Sequence, residues 1–494
     1  MIMYRSRSEI KLDENAFNFM TSIDADNAIL HYDILGSEAH TIMLYEIGFL
    51  TLIDLKKILE GLEDVKTDPN VLSTDSYEDI HEALEAFIIK KAGNNSGGKM
   101  HTGRSRNDQV VLDIHMKIRE DINDICTATI DLIGSLLEKA SENIETIMPM
   151  YTHLQQAQIG TLCHFLLSYV DALFRDIDRL FIAYGKVNRS TLGACAIGGT
   201  SINIDRNKTA ALLGFQGIVI NSIDATYSRD TLIEFATALS ILITTLARIA
   251  EDFIIWSTVE FGYIDISDKY SSTSSAMPQK KNPDAMELVR AKAATAIGNM
   301  ITMFSIVKSL PSGYSRDLQD LKPVLWRTST VALESTKMMN AVIKSVNVHK
   351  GRMKEVADNS YAISLDIAEQ LVIRKGIPFR SAHKVIGALV ERAINKNNIP
   401  LKMLQKEDIE AALTKIESNL QPDEISQIVR EITPNKALEL RVSPGSPNPK
   451  QQKDMIDSSY NKLAGYIQEL SKRKKGITAA FDNLSSIVNR YLNS

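Results

Sequence analysis

Residues 231–256 read TLIEFATALSILITTLARIAEDFIIW, and the reading of this stretch sets the architecture. Apolar side chains cover nearly every side of a 3.6-residue period, which predicts a helix buried among other helices. Residues 235–247 carry no charge, yet they are too few to span a bilayer and include Thr237, Ser240, Thr244 and Thr245. None of the 13 prolines lies between Pro149 and Pro278, so nothing breaks a long helix there. Just upstream, Leu162, Leu166, Tyr169, Leu173, Ile177 and Leu180 recur at steps of three and four, while Asp171, Arg175 and Asp178 mark another face. That pattern predicts a second long helix. Alternation of the strand type is scarce, with residues 217–223 among the few short pieces able to extend.

Further out the helices shorten. Pro378, Pro400, Pro422 and Pro434 divide the later chain, and residues 443–449, SPGSPNP, form a loop. Lys472-Arg473-Lys474-Lys475 followed by Gly476 reads as a helix end, with cations at its negative pole and glycine as its cap. The expectation is an all-α chain of three domains. These are an N-terminal domain at 1–110, a central long-helix bundle at 111–360 and a small C-terminal domain at 361–494.

Composition narrows the function. Apolar residues make up 44% and charged residues 24%, an ordinary globular balance that argues against disorder. Lys plus Arg number 56 against 61 Asp plus Glu, a net charge of −5, so no basic field calls for nucleic acid or a membrane surface. Cys126, Cys163 and Cys195 lie far apart, which excludes a disulfide framework and suits a reducing compartment. Residues 1–11 lack the apolar core of a signal peptide. The nine histidines have no ligand-like spacing, and no Gly-rich phosphate loop follows a strand, so neither metal nor cofactor is expected. The reading is a soluble, cytoplasmic protein.

Three polar segments can carry chemistry. Residues 271–284, SSTSSAMPQKKNPD, form a small-residue loop in which Asn282 can cap a helix and Pro283 suits its first turn. Two lysines before a helix N-terminus make an anion site; on composition alone the segment is a Ser-rich linker. Residues 97–110, GGKMHTGRSRNDQV, place Arg104, Ser105, Arg106 and Asn107 where they can grip carboxylates, or can equally form a solvated loop that opens a helix. Residues 151–158, YTHLQQAQ, put His153 at the start of the helix patterned above.

The strings themselves go further. The first resembles the Gly-Ser-Ser-x-Met-Pro-x-Lys-x-Asn-Pro signature of the fumarase/aspartase superfamily, with Thr273 for the leading glycine. Gln279-Lys280-Lys281-Asn282 and Thr102-Gly103-Arg104-Ser105-Arg106-Asn107-Asp108-Gln109 are similar to the argininosuccinate lyase family in particular. Thr152-His153-Leu154-Gln155 looks like that family's second loop, although Ile159 and Phe165 depart from it. Glu78–His81, Arg229-Asp230 and Tyr314–Lys322 extend the resemblance to roughly residues 20–450.

The resemblance implies reversible elimination of fumarate from argininosuccinate, giving L-arginine, by acid–base chemistry through an aci-carboxylate. It implies Ser274 as base, Lys280 and Asn282 as holders of the developing dianion, and His153 paired with Glu287 as proton partner of the leaving nitrogen; the roles of Ser274 and His153 could be exchanged. It assigns substrate binding to Arg104, Ser105, Asn107, Thr152, Tyr314, Gln319 and Lys322, with Ser22 added. It also implies a homotetramer whose sites are shared between chains, which fits a helix that is apolar all round. Two rivals stand beside it. A lyase acting on adenylosuccinate is opposed by the loop at 102–109. A non-catalytic structural protein, as in the delta-crystallins of eye lenses, is opposed by the intact Ser274, His153, Lys280 and Glu287.

Overall fold

The computed structural model describes residues 12–494, so residues 1–11, where a signal peptide was sought, lie outside it. The longest helices build the body. α1 (Leu30–Glu46) and α2 (Ile80–Ala92) lead to α3 (Arg106–Ser141), α4 (Leu162–Val187), α5 (Asp230–Trp256), α6 (Asp284–Val307) and α7 (Leu321–Ser345). α3 begins in a reciprocal cap: Ser105 Oγ accepts from Asn107 N–H, and Asp108 accepts from Ser105 N–H at 2.9 Å. This satisfies amides that the helix itself leaves free. α3 lies against α4 and α7, while α5 lies against α4, α6 and α7.

The centre of the bundle is α5, with Phe235, Leu239, Leu242, Ile243 and Leu246 fully buried. By length and composition α5 could cross a membrane, but 67% of its most apolar window is buried within the fold. The helix left uncovered along one side is α6. Only Met286, Val289, Ala296 and Met303 of its 24 residues are buried, and Leu288, Ile297, Ile301 and Phe304 are exposed. The all-round apolarity of residues 231–256 is thus satisfied inside the chain. Alanines and threonines dilute the apolar pattern of α6, so its bare face is faint in the sequence.

All the strands among the described residues are short. β1 (Ile147–Thr152) pairs with β2 (Gln155–Thr161), so residues 151–158 form a hairpin tip and do not open the helix. α4 starts only at Leu162, capped by Thr161 Oγ, which accepts from His164 N–H at 3.1 Å. β3 (Ile264–Asp265) pairs with β6 (Asn347–Val348), and β4 (Ser272–Thr273) with β5 (Lys281–Asn282). Of the extended piece expected at 217–223, a single bridge forms, from Ile218 to Ser190; Ser222 already begins a helix capped by Asn221.

Short helices between 364 and 440 close a second apolar core around Ile367, Leu371, Leu389, Ile409, Ile425 and Leu438, which also takes Ile147 and Ile159 from the hairpin. The chain then returns to the body as α8 (Pro449–Leu492), 44 residues long and laid along α3. Gly476 therefore sits inside a helix and is not its cap. Ile456, Leu463, Leu470, Ile477 and Leu484 are buried at seven-residue steps. That seam carries the helix through the roughly 1 kcal/mol that an interior glycine costs. Nor does the basic run mark a helix end: Arg473 lies 3.8 Å over the Phe181 ring and 4.4 Å over Tyr184, and Lys474 donates to Thr127 at 2.8 Å.

Candidate active site

The predicted residues fall into three groups. The first assembles at the start of α7. Lys322, 4% exposed, is ion-paired with Asp26 and lies 3.5 Å from Ser22 Oγ, which donates to Asp26 at 2.6 Å. Gln319 Nε2 donates to the Met20 carbonyl at 3.1 Å, and Asn107 Nδ2 to that of Ala196 at 3.0 Å. Arg106 meets Asp79 and Arg316 meets Glu78, each at 2.6 Å. Tyr314 lies among these charges: burial raises its phenol, and Arg106, Arg229 and Arg316 only partly offset the rise. Arg106, Arg316 and Lys322 each already have a carboxylate partner, and the same groups can grip the carboxylates of a ligand.

Arg104 is placed differently. It is 4% exposed and donates to Ser37 Oγ at 3.0 Å, behind the surface. Beside it, three helices bring together Asp33, His81 and Asp113, all buried, with ligand atoms within 4.8 Å of one another. His81 Nδ1 lies 3.1 Å from Asp33 and 3.6 Å from Asp113. Burial opposes the imidazolium, but Asp33 and then Asp113 outweigh it and lift His81 to about 9. Burial would also raise Asp33; His81, Arg104 and a hydrogen bond from Gln109 override it and hold this carboxyl below its usual range. Asp113 is pushed well above its range by burial and then by Asp33. The trio therefore joins a carboxyl held below its usual range, an imidazole lifted to about 9 and a second carboxyl pushed up by burial and by its neighbour. Its positive charge comes from His81 and Arg104, so it already has the balance a bound cation would provide.

The second group is the tip of the first hairpin. Thr152 pairs with Gln155, so the turn consists of two residues, His153 and Leu154, at φ 54° and 56°. Two positive φ values in a two-residue loop are the geometry that glycine and asparagine favour. Other residues pay about 1–2 kcal/mol each for it. Thr152, His153 and Leu154 are all exposed.

The third group is the tip between β4 and β5. Ser274 Oγ accepts from Ala276 N–H at 3.2 Å and Met277 N–H at 3.1 Å. Two amides aimed at one hydroxyl oxygen favour its anionic form. Lys280 is exposed, and its neighbour Lys281 bridges Asp265 at 2.9 Å and Asp268 at 2.7 Å. Asn282 is not the helix cap expected of it. It pairs with Ser272 in the strand ladder, and α6 starts at Asp284 behind Pro283. Glu287 lies exposed in the first turn of α6.

Among the described residues, no hydrogen bond or ion pair joins these groups: His153 reaches neither Glu287 nor Ser274. Sequence reasoning gave no role to Asp26, Asp79 or His81, although Asp79 and His81 belong to a string it recognised. Their signal is lodged in pairing partners far away in the chain.

A bundle of long helices with these loops at its ends defines a lyase of the fumarase/aspartase superfamily. Residues 8–298 match the lyase family model, and residues 361–432 match that of the argininosuccinate lyase C-terminal region. Among solved structures, a variant EDDS lyase with bound fumarate is 28% identical at a TM-score of 0.85, over 95% of this chain and 93% of that one. The class II fumarase of Schistosoma mansoni, 16% identical at 0.69 over 84% and 90%, shares the fold. The argininosuccinate lyase of Nitrosopumilus maritimus is 45% identical over 99% of this chain and 100% of its own length. That of Methanocaldococcus jannaschii is 39% identical over 98% and 99%. The chain belongs to the argininosuccinate lyase family.

Proposed function

We propose that the chain eliminates fumarate from argininosuccinate and releases L-arginine, reversibly, in the last step of arginine biosynthesis. The observation that carries this reading is the first group. A loop of the family's form caps α3 and stands with Tyr314, Gln319 and Lys322 beside Arg106, Arg229 and Arg316. A substrate rich in carboxylates fits there.

The reaction needs a base, a holder of negative charge and an acid. Ser274 takes the proton beside a substrate carboxylate. The two amides on its Oγ support this choice over the reverse assignment, because they lower the cost of the alkoxide. Lys280 and Asn282 hold the aci-carboxylate. His153 protonates the leaving guanidinium nitrogen, and Glu287 orients and charges it. Ser22, Ser105, Asn107, Thr152, Tyr314, Gln319 and Lys322 hold substrate, while Arg104 acts from behind through Ser37.

Among the described residues no hydrogen bond or ion pair joins the three groups, and α6 is bare along much of its length. Both observations support a homotetramer in which each site draws on three chains. Light scattering that shows an active monomer would remove this part of the reading. A cytoplasmic setting is supported by three cysteines that all remain free. The deciding experiment follows fumarate by absorbance, with argininosuccinate and adenylosuccinate as rival substrates. Fumarate from argininosuccinate alone is expected; cleavage of adenylosuccinate alone, or of neither, overturns the proposal.

A further inference from the structure

Leu154 is a misplaced residue if only one chain is considered. It holds the second position of a two-residue turn at φ 56° and is 69% exposed. The other consecutive pair of non-glycine residues with positive φ, among the described residues, is Asn397-Asn398. There the chain uses the residue type that tolerates the conformation. At the hairpin tip it instead carries a branched apolar side chain into water, beside His153.

A matching dipeptide lies on α6. Glu287 is exposed in the first turn, and Leu288 after it is 60% exposed. Each dipeptide joins an exposed ionisable group to an uncovered leucine. We propose that Leu154 is a positioning residue that seats the hairpin tip on Leu288 of a second copy of this chain and so sets His153 against that copy's Glu287. The inference rests on the shared-site reading and names the contact that holds the shared site in register. Seating Leu154 removes two leucines from water and locks the turn, which fixes the imidazole where a proton must pass.

The first test is a covalent trap. With Cys195 replaced by Ser, and with Cys126 and Cys163 buried, Leu154→Cys and Leu288→Cys are combined and oxidised. Disulfide-linked dimers from the pair, and none from either single variant, are expected. The second test is kinetic. Leu154→Asn suits the turn but removes the seat. It should keep the thermal midpoint and KM while lowering kcat about 10-fold to 100-fold, and the acid limb of its pH profile should move. Leu154→Met should restore kcat. If Leu154 only folds onto its own chain, into the cleft beside Tyr151, Phe261 and Tyr361, then Leu154→Asn keeps the parent kcat and no cross-link forms. That result overturns the proposal. Wild-type protein that forms no fumarate would instead overturn the lyase reading, and the cross-link would still decide on the contact.

Discussion

Asp33 and Asp113 flank the same imidazole, yet their asparagine variants should differ sharply. Asp33 is the nearer and stronger lift on His81, whereas Asp113, farther away and pushed up by burial and by Asp33, favours the neutral form that Asp113→Asn mimics. His81 rises from 6.5 to about 9 on folding. At 1.36 kcal/mol per unit, the carboxylates around His81, Asp33 foremost, contribute about 3 kcal/mol net of the burial cost. This agrees with the roughly 3–5 kcal/mol lost when one member of a buried pair is removed. Asp33→Asn should therefore lose about 3 kcal/mol and Asp113→Asn less than about 1 kcal/mol.

The pH dependence has a definite sign. A group whose pKa is higher folded than unfolded stabilises fully below its unfolded value, here 6.5, and loses that contribution as the pH rises through about 9. The assay is urea unfolding at fixed protein concentration, on wild type and both variants, from pH 6 to pH 10. The gap between wild type and Asp33→Asn should be widest near pH 6 and should close above pH 9. Equal losses for the two variants, or a gap that stays constant with pH, would refute a protonated His81 held by Asp33.

Ser274→Ala should abolish turnover while leaving substrate binding largely intact, with Ser275→Ala much milder; pre-steady-state and binding measurements check both. His153→Asn and Glu287→Gln should be non-additive, the double variant losing far less than the sum of the singles in a kinetic cycle. Residues 267–281 should exchange amide hydrogens quickly alone and slowly with fumarate plus arginine, because residues 273 and 275–281 are exposed and few groups, Tyr270 and Lys281 among them, tie the segment to the body; equal, strong protection in both states would mean a loop already closed. Gly476→Ala should stabilise the protein by about 0.5–1 kcal/mol, seen as a raised thermal midpoint, since the added methyl meets nothing within 4 Å.

The long helices were legible because their signal is local: periodicity from Leu162 to Leu180 and the apolar run at 231–256 need no distant partner. The polar loops of the candidate site were legible as strings. Their shapes were not. Thr152 and Gln155 form a tight turn only because β1 and β2 pair, and nothing in HLQQ announces a positive φ. Asn282 carries a strong capping preference, but its backbone is claimed by Ser272 across a two-residue ladder, and the ladder won. Gly476 misled for a similar reason: a glycine after four cations is a local stop signal, overridden by a heptad seam of tertiary origin. The cluster of Asp33, His81 and Asp113 brings together residues 48 and 32 positions apart. No spacing rule connects them, because three different helices supply them.

The return of α8 along α3 has a consequence for how the molecule is made. α3 starts at residue 106, yet one of its faces is covered by residues beyond 449. During synthesis at about 5–20 residues per second, that face waits for tens of seconds after its own helix has left the ribosome. Ile456 through Leu484 arrive much later and close it. A nascent chain stalled anywhere before α8 would present a long apolar seam, so α8 acts as a clasp whose arrival ends the exposure of α3.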